Sequence, residues 1–161
     1  FSRRQVPVFG EVDINALVAN VVKLVGRQKE LEKLSIKLNY SSEPVIIYGD
    51  VNQLQQVFLN MILNAIDATA DDGKIKITTK VDENYAQIIF EDTGCGIAPA
   101  DLDKIFEPFF TTKSPGKGTG LGLSICYGII EEHKGKISVS SNGTGNGSAF
   151  TISLPVYVKR V

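Results

Sequence analysis

An aspartate followed by closely spaced glycines is the feature of this 161-residue sequence that most directly indicates chemistry. In "DTGCGI", Asp92 ends a predicted strand and is followed by Gly94 and Gly96. Glycine lets a backbone approach a ligand closely, and an ionised carboxylate can only accept hydrogen bonds. Asp92 could therefore bind a ligand that carries an N–H donor. The alternatives are that Asp92 caps a turn and that the glycines form a flexible surface loop.

A second glycine-rich segment, "KSPGKGTGLGL", has the composition of an anion-binding site. Gly118, Gly120 and Gly122 precede a predicted helix, whose first N–H groups are unpaired and lie at the positive end of the helix dipole. Lys113 and Lys117 add positive charge just before it. An inserted glycine breaks the P-loop pattern, and a leucine replaces the third glycine of a dinucleotide fingerprint. We therefore expect a polyanion at this helix, bound by neither of these two common loops.

Two asparagines, Asn60 and Asn64, lie in the segment "VNQLQQVFLNMILNAIDATA", whose apolar residues recur at helical spacing. Because they are four residues apart, they lie on one face of the predicted helix. Mg²⁺ prefers oxygen ligands and usually shares them with substrate phosphates. The pair could contribute to such a site, or both side chains could lie on a solvated helix face, as asparagines often do.

Hydrophobic periodicity and turn residues predict the elements that position these groups. We expect three helices, two of them N-capped by Asp13 and Asp50, and the last one stopped at Gly135. Their predicted ranges are 14–33, 51–70 and 122–135, and the predicted strands are 35–40, 44–49, 74–81, 85–92, 136–141 and 148–156. This order predicts an α+β fold, a two-layer α/β sandwich with the three main helices on one face of a mixed, mostly antiparallel sheet.

The composition excludes several classes of protein. The chain is 43% hydrophobic and 22% charged, as soluble globular proteins are, and its net charge of −1 gives no positive field for nucleic acid. No apolar run approaches the roughly 20 residues that a membrane-spanning helix needs. Two cysteines and one histidine do not suffice for a disulfide framework or a zinc set. We therefore expect a cytoplasmic domain that contacts neither nucleic acid nor membrane directly.

Four segments, in order, resemble the boxes of the catalytic and ATP-binding domain of sensor histidine kinases. "QVFLNMILNAIDA" is similar to the N box, "DTGCGI" to the G1 box, "FEPFF" to the F box and "GTGLGL" to the G2 box. That domain belongs to the superfamily of gyrase, heat-shock chaperone, histidine kinase and mismatch-repair ATPases. The resemblance therefore implies the Bergerat ATP-binding fold. The "FFTTK" run and the short lid resemble the nitrogen-regulation type of sensor kinase.

The resemblance implies how the adenine of ATP would bind. It implies that Asp92 accepts a hydrogen bond from the exocyclic amine and that Ile97 packs beside the base. Gly94 and Gly96 would leave room for the base, and Ser148 would assist through a water molecule.

The resemblance also implies the phosphate contacts and the ion. It implies that Asn64 ligates Mg²⁺, that Asn60 lies beside it near the phosphates, and that Lys113 reaches the γ-phosphate. Many relatives carry a phosphate-binding lysine where this chain has Asp67, so we do not transfer that contact.

A lid over residues 111–117 is expected between the F box and the G2 box, ordered with ATP and looser with ADP. Of the phenylalanines Phe106, Phe109 and Phe110, we expect at least one to lie in the core and another to anchor the lid. The other predicted nucleotide contacts are Thr111, Thr112, Lys117, Gly118, Thr119, Gly120, Leu121 and Gly122.

Asn60 favours one chemistry within the superfamily. The gyrase and chaperone ATPases carry a glutamate there that activates water, and the serine-directed protein kinases also keep an acid. An amide cannot act as a general base near neutral pH. Neutral imidazole, with an ordinary pKa of about 6.5, is already nucleophilic. We therefore expect phosphorylation of a histidine rather than hydrolysis.

The phosphoacceptor is expected outside this chain. His133 lies near the end of the third helix, away from every box, and is expected to be an ordinary surface histidine. The expected acceptor is a dimerisation domain, with residues 1–5 the possible end of its helix and residues 6–161 a single catalytic domain. A response regulator receiver domain would then take the phosphate. The alternatives are an ATPase of the gyrase or chaperone type and a nucleotide-binding scaffold that transfers nothing.

Overall fold

The computed structural model of the chain describes residues 6–26, 35–69, 72–111 and 122–158. Within these ranges it forms three α-helices and seven β-strands. In chain order they are β1 (Gly10–Asp13), α1 (Ile14–Val25), β2 (Ser35–Asn39), β3 (Ile46–Gly49), α2 (Val51–Ala68), β4 (Lys74–Asp82), β5 (Tyr85–Asp92), α3 (Gly122–Glu132), β6 (Lys136–Ser140) and β7 (Ser148–Pro155).

Five of the strands form one mixed sheet in the order β2-β4-β5-β7-β6. β2 pairs with β4 in parallel, and the other three pairings are antiparallel, as the sequence predicts. β1 and β3 form a separate two-stranded antiparallel sheet, and β1 itself is not predicted from the sequence. In the large sheet the register places Asp92 beside Ile75 on one side and beside Ser148 on the other.

The core lies between the helices and one face of the large sheet. Strands β4, β5 and β7 alternate buried and more exposed positions, as half-buried strands do. The buried positions of α2 form one stripe, and its Phe58 packs against Phe90 of β5 with ring centroids 5.9 Å apart. Helix and strand residues share one hydrophobic cluster, which confirms the predicted α+β sandwich.

Both predicted N-caps are confirmed. Asp13 accepts a hydrogen bond from the backbone N–H of Ala16 at 3.2 Å, and Asp50 accepts one from Gln53 at 2.9 Å. Each carboxylate satisfies an N–H group that lacks a partner within the helix. α1 is followed by Gly26, and the rest of its predicted range, 27–33, lies outside the described residues.

Helix α3 ends earlier than the sequence predicts. Its last residue is Glu132, and Lys134, rather than Gly135, adopts the left-handed conformation with φ +59°. The N–H of Gly135 then donates to the carbonyl of Ile130 at 2.9 Å, which closes the helix end. A Cβ on Gly135 would collide with the carbonyl oxygen of Ser153, so glycine is needed for close packing on β7.

None of the helices in the described parts of the chain combines the length and the hydropathy that crossing a membrane requires.

We predict that Ile88→Val lowers the free energy of unfolding by about 1 kcal/mol, because it removes one methylene from a closed core. Ile88 is fully buried, whereas its neighbour Ile89 is only half-buried on the other face of β5. Ile89→Val is therefore the matched control and should cost clearly less. Urea unfolding followed by circular dichroism measures both values, and equal losses would contradict the assigned faces.

Candidate functional site

Asp92 is the last residue of β5 and is buried, and two hydrogen bonds fix its carboxylate. One oxygen, Oδ2, accepts from the hydroxyl of Ser148 at 2.8 Å, and the other, Oδ1, accepts from the backbone N–H of Gly94 at 2.9 Å. The structure thus connects Ser148 directly to the carboxylate of Asp92, a bond that the sequence does not predict. The predicted contact of Ser148 with the base through water stays a prediction. Since carboxylate oxygens accept about four hydrogen bonds together, an oriented acceptor remains for a ligand N–H.

Gly94 and Gly96 are required by the backbone itself. A Cβ on Gly94 would collide with the carbonyl oxygen of Ala68, and one on Gly96 would collide with the carbonyl oxygen of Gly143. Gly96 also adopts φ +69°, which side chains disfavour. The sequence-based reason for these glycines, room for a base, is therefore incomplete. They let the turn after Asp92 pack closely against its neighbours.

Two other parts of the chain hold this turn. The N–H of Cys95 donates to the carbonyl of Ala68, at the end of α2, at 2.8 Å. On the other side, Gly147 donates to the carbonyl of Gly94 at 3.0 Å, and Gly145 donates to that of Cys95 at 2.6 Å. The turn therefore lies between α2 and the loop over residues 141–147, and both position the carboxylate of Asp92.

Ser141 is a residue of the site that sequence reasoning missed. Its Oγ accepts a hydrogen bond from the N–H of Ile97 at 3.0 Å and donates one to the carbonyl of Gly147 at 2.7 Å. It thus fixes the backbone at Ile97, whose side chain is partly buried against the core. The signal in the sequence was the serine that opens the loop "SNGTGNG", a residue type that bonds nearby backbone in turns.

Asn60 and Asn64 are both half-buried positions of α2. The amide nitrogen of Asn60 donates to the sulfur of Cys126 on α3, at 3.5 Å, which connects the two helices. Burial raises the pKa of the Cys126 thiol to about 11, although the bond from Asn60 acts in the opposite direction. The thiol therefore stays protonated near neutral pH, and Cys126 is a core residue rather than a nucleophile.

The donor set on α2 is compatible with Mg²⁺ that is shared with phosphates. No group of three His, Cys, Asp or Glu side chains that could hold a metal occurs in the described part of the chain. Mg²⁺ commonly takes only one or two protein oxygens and completes its shell with phosphate and water. The side-chain oxygen of Asn64 fits that role. Asp67, one turn further on, is exposed.

The three phenylalanines of the F box differ in burial. Phe106 and Phe110 pack against the core, and Phe106 meets Phe150 edge-on at 6.3 Å. Phe109 is 75% exposed and adopts φ +68°, a conformation that is unusual for a bulky side chain. The prediction that one phenylalanine lies in the core is confirmed, and the lid-anchoring role remains a prediction.

Much of the predicted phosphate-binding set lies outside the described residues. Thr111 is exposed at the end of one described range, and Gly122 begins α3 in the next. The predicted contacts between them concern residues that the structure does not describe: Thr112, Lys113, Lys117, Gly118, Thr119, Gly120 and Leu121.

The prediction that His133 is a surface residue is wrong. The side chain is only 5% exposed and stacks on Phe9, with ring centroids 4.8 Å apart. Its Nε2 accepts a hydrogen bond from the backbone N–H of Asp50 at 3.0 Å, and its Nδ1 lies 2.8 Å from the carbonyl oxygen of Ile129. Phe9 and Asp50, which contact the histidine, lie far from it in the sequence, so its position near the end of a helix could not indicate its burial.

These elements together define a nucleotide-binding domain. In it, the turn after Asp92 contacts the end of α2, the helix that carries Asn60 and Asn64. The chain belongs to the family of histidine kinase-, DNA gyrase B- and HSP90-like ATPases, which matches residues 49–158. Membership of this family implies that the chain binds ATP. The narrower likeness to nitrogen-regulation kinases stays a prediction.

Similar proteins of known function support the histidine kinase branch. Sporulation kinase A of Bacillus subtilis (strain 168) is 40% identical over 144 residues, which are 89% of this chain and 23% of the relative. The catalytic domain of histidine kinase ThkA superposes with a TM-score of 0.83 at 35% identity, covering 92% of this chain and 96% of that one. The structure of histidine kinase ThkA in complex with response regulator protein TrrA matches with a TM-score of 0.79 at 32% identity. The match covers 92% of this chain and 42% of the ThkA chain. The chain thus spans about a quarter of sporulation kinase A.

We predict that Gly94→Ala lowers the free energy of unfolding by about 1–3 kcal/mol, because the new methyl group forces the turn away from Ala68. Gly128→Ala is the matched control. Gly128 is exposed within α3, and apart from its chain neighbours and the backbone of its own helix no described atom lies within 4 Å of an added Cβ. It should gain about 0.5–1 kcal/mol from helix propensity. Thermal unfolding of both variants is the measurement, and a neutral Gly94→Ala would contradict the packing described above.

Proposed function

We propose that this chain is the ATP-binding kinase domain of a sensor histidine kinase. It transfers the γ-phosphoryl group of ATP to a histidine on a separate dimerisation domain, for relay to a response regulator receiver domain in the cytoplasm. The observation that carries the proposal is Asn60, an amide one turn before Asn64 where a hydrolase needs a carboxylate base. Similarity to a ThkA structure that contains a response regulator supports the relay.

Adenine recognition is assigned to Asp92. Its buried carboxylate, held by Ser148 and Gly94, accepts a hydrogen bond from the exocyclic amine of the base. Gly96 and Ile97 follow on the same turn and line the base. Because hydrogen bonds to a buried ionised group are stronger than those between neutral groups, one such contact gives substantial selectivity.

Phosphate binding is assigned to α2 and to the segment before α3. Mg²⁺, held by Asn64 and phosphate oxygens, would neutralise phosphate charge. Asn60 binds close to the phosphates, Lys113 reaches the γ-phosphate, and the start of α3 supplies unpaired N–H groups from Gly122 onward. Phe109 anchors the lid above the nucleotide.

The chemical step needs no base from this domain. A neutral imidazole nitrogen of the acceptor histidine attacks the γ-phosphorus, an N–P bond forms, and the bond from phosphorus to the ADP oxygen breaks. Because the proposed nucleophile is already active at neutral pH, catalysis rests on positioning and on neutralising charge. A gyrase-type ATPase would instead activate water, and a scaffold would bind nucleotide without transfer.

The test of function is transfer of labelled phosphate from ATP to a separately purified dimerisation domain that carries the acceptor histidine. We expect Asn64→Ala to slow transfer by roughly 100-fold or more, because phosphate charge is then poorly neutralised. Gln56→Ala, at an exposed position of the same helix, is the control and should transfer normally. Undiminished transfer by Asn64→Ala would refute the role of Asn64. Brisk release of inorganic phosphate without an acceptor would favour the ATPase instead.

We predict that Ser148→Ala weakens ATP binding by roughly fivefold, the equivalent of about 1 kcal/mol, because Asp92 loses the hydroxyl donor that orients it. Ser138→Ala, at an exposed position of β6, is the control. Isothermal titration calorimetry gives both affinities. Unchanged affinity in Ser148→Ala would show that the hydroxyl does not orient the carboxylate for binding.

A further inference from the structure

Three parts of the chain outside the nucleotide site meet at the start of α2, namely Asp50, His133 and the segment 6–9. Asp50 caps this helix through Oδ1, which accepts the N–H of Gln53, while its Oδ2 accepts the N–H of Val8 at 2.7 Å. Its own N–H donates to Nε2 of His133 at 3.0 Å. Although burial raises it, the hydrogen bonds from the backbone N–H groups of Gln53 and Val8 hold the pKa of the Asp50 carboxyl below its ordinary value. We call Asp50, His133 and the segment 6–9 the α2 junction.

Both ring nitrogens of His133 are occupied in the junction. A carbonyl oxygen can only accept, so Nδ1, 2.8 Å from the carbonyl of Ile129, carries the proton. Nε2 is then bare and accepts from Asp50, which defines one neutral tautomer. Gly49 allows this approach, since a Cβ there would lie 2.6 Å from Cδ2 of the ring. The ring is thus fixed from three sides and cannot rotate without losing a buried hydrogen bond.

The junction connects the two helices that carry the nucleotide site. Asp50 immediately precedes α2. Asn60 lies about 15 Å further along this helix, because an α-helix rises 1.5 Å per residue. Ile129 lies near the end of α3, whose first residue is Gly122. Further along, Asn60 contacts Cys126 of α3 at 3.5 Å. The junction and the contact between Asn60 and Cys126 thus lie at two points along the same pair of helices.

The segment 6–9 is held at the junction by few contacts. The side chains of Val6 and Val8 are 83% and 78% exposed, so they add little packing. Segment 6–9 is anchored by the N–H of Val8, which donates to Asp50, and by the ring of Phe9, which stacks on His133 and lies 5.9 Å from the ring of Tyr48. One charge-assisted hydrogen bond and two ring contacts are a weak attachment, so the segment can detach reversibly.

We propose that the α2 junction couples the conformation of segment 6–9 to the placement of Asn60 and Asn64. His133 and Asp50 are positioning residues in this arrangement, and they act on the nucleotide through helix α2. The effect of this coupling on catalysis rests on the proposed function. The helix displacement itself does not depend on that function.

Val8→Pro tests the coupling with little change to packing. Proline removes the N–H that donates to Asp50, and the replaced side chain is largely exposed. Val8→Ala keeps that N–H and is the matched control. We expect Val8→Pro to shift the side-chain amide signals of Asn60 and Asn64 in ¹H–¹⁵N NMR of the ligand-free chain and to change the Kd for Mg-ATP at least threefold. Val8→Ala should leave both unchanged.

His133 supplies a second pair of variants. His133→Gln offers an acceptor and a donor and should largely preserve the amide signals and the affinity. His133→Phe keeps an aromatic ring that can stack on Phe9 but leaves the N–H of Asp50 unpaired. It should therefore shift the amide signals and change the affinity for Mg-ATP. Leu154→Val is the control for a general loss of stability, because Leu154 is buried and lines a surface cleft together with Phe9 and His133. It should leave the amide signals in place.

The outcomes separate the two proposals. The coupling is overturned when Val8→Pro matches the unaltered chain in amide signals and in affinity, even where His133→Phe fails to fold. It is also overturned when His133→Gln and His133→Phe behave alike. Failure of the unaltered chain to bind Mg-ATP would refute the proposed function, while the amide signals would still test the coupling.

Discussion

The site depends on how one buried carboxylate is held. An ionised group is costly to bury unless its oxygens are hydrogen-bonded, and Asp92 satisfies this with the Ser148 hydroxyl and the Gly94 N–H. The sheet register places Ser148 beside Asp92, and Gly94 lies in the turn that follows β5. The carboxylate therefore has a set direction before any ligand binds, which reduces the ordering that binding requires.

Helix α2 connects the turn after Asp92 to the rest of the site. Its start is capped by Asp50, its middle packs Phe58 on Phe90 of β5, and the carbonyl of Ala68 at its end holds the turn after Asp92. The same helix carries Asn60 and Asn64. One helix thus sets the distance between the carboxylate proposed to bind adenine and the amides proposed to bind phosphate. The α2 junction lies at the start of this helix, opposite Ala68.

The sequence predicted what depends on local pattern. The caps at Asp13 and Asp50 and the stripe of α2 follow from the order and spacing of nearby residues, and the structure confirms them. Contacts between distant segments were missed, because spacing along a chain does not show what packs across it. The burial of His133 under Phe9, the pairing of β1 with β3 and the role of Ser141 are of this kind.

Calorimetric titration of the chain with ATP and with inosine triphosphate, in magnesium buffer, is the most direct test of the central claim. The two nucleotides differ at the position that Asp92 is assigned to contact, where inosine has a carbonyl in place of the amine. A buried carboxylate facing a carbonyl loses its hydrogen bond, so the account predicts that inosine triphosphate binds at least about tenfold more weakly. Equal affinities would contradict the assignment of Asp92 to adenine.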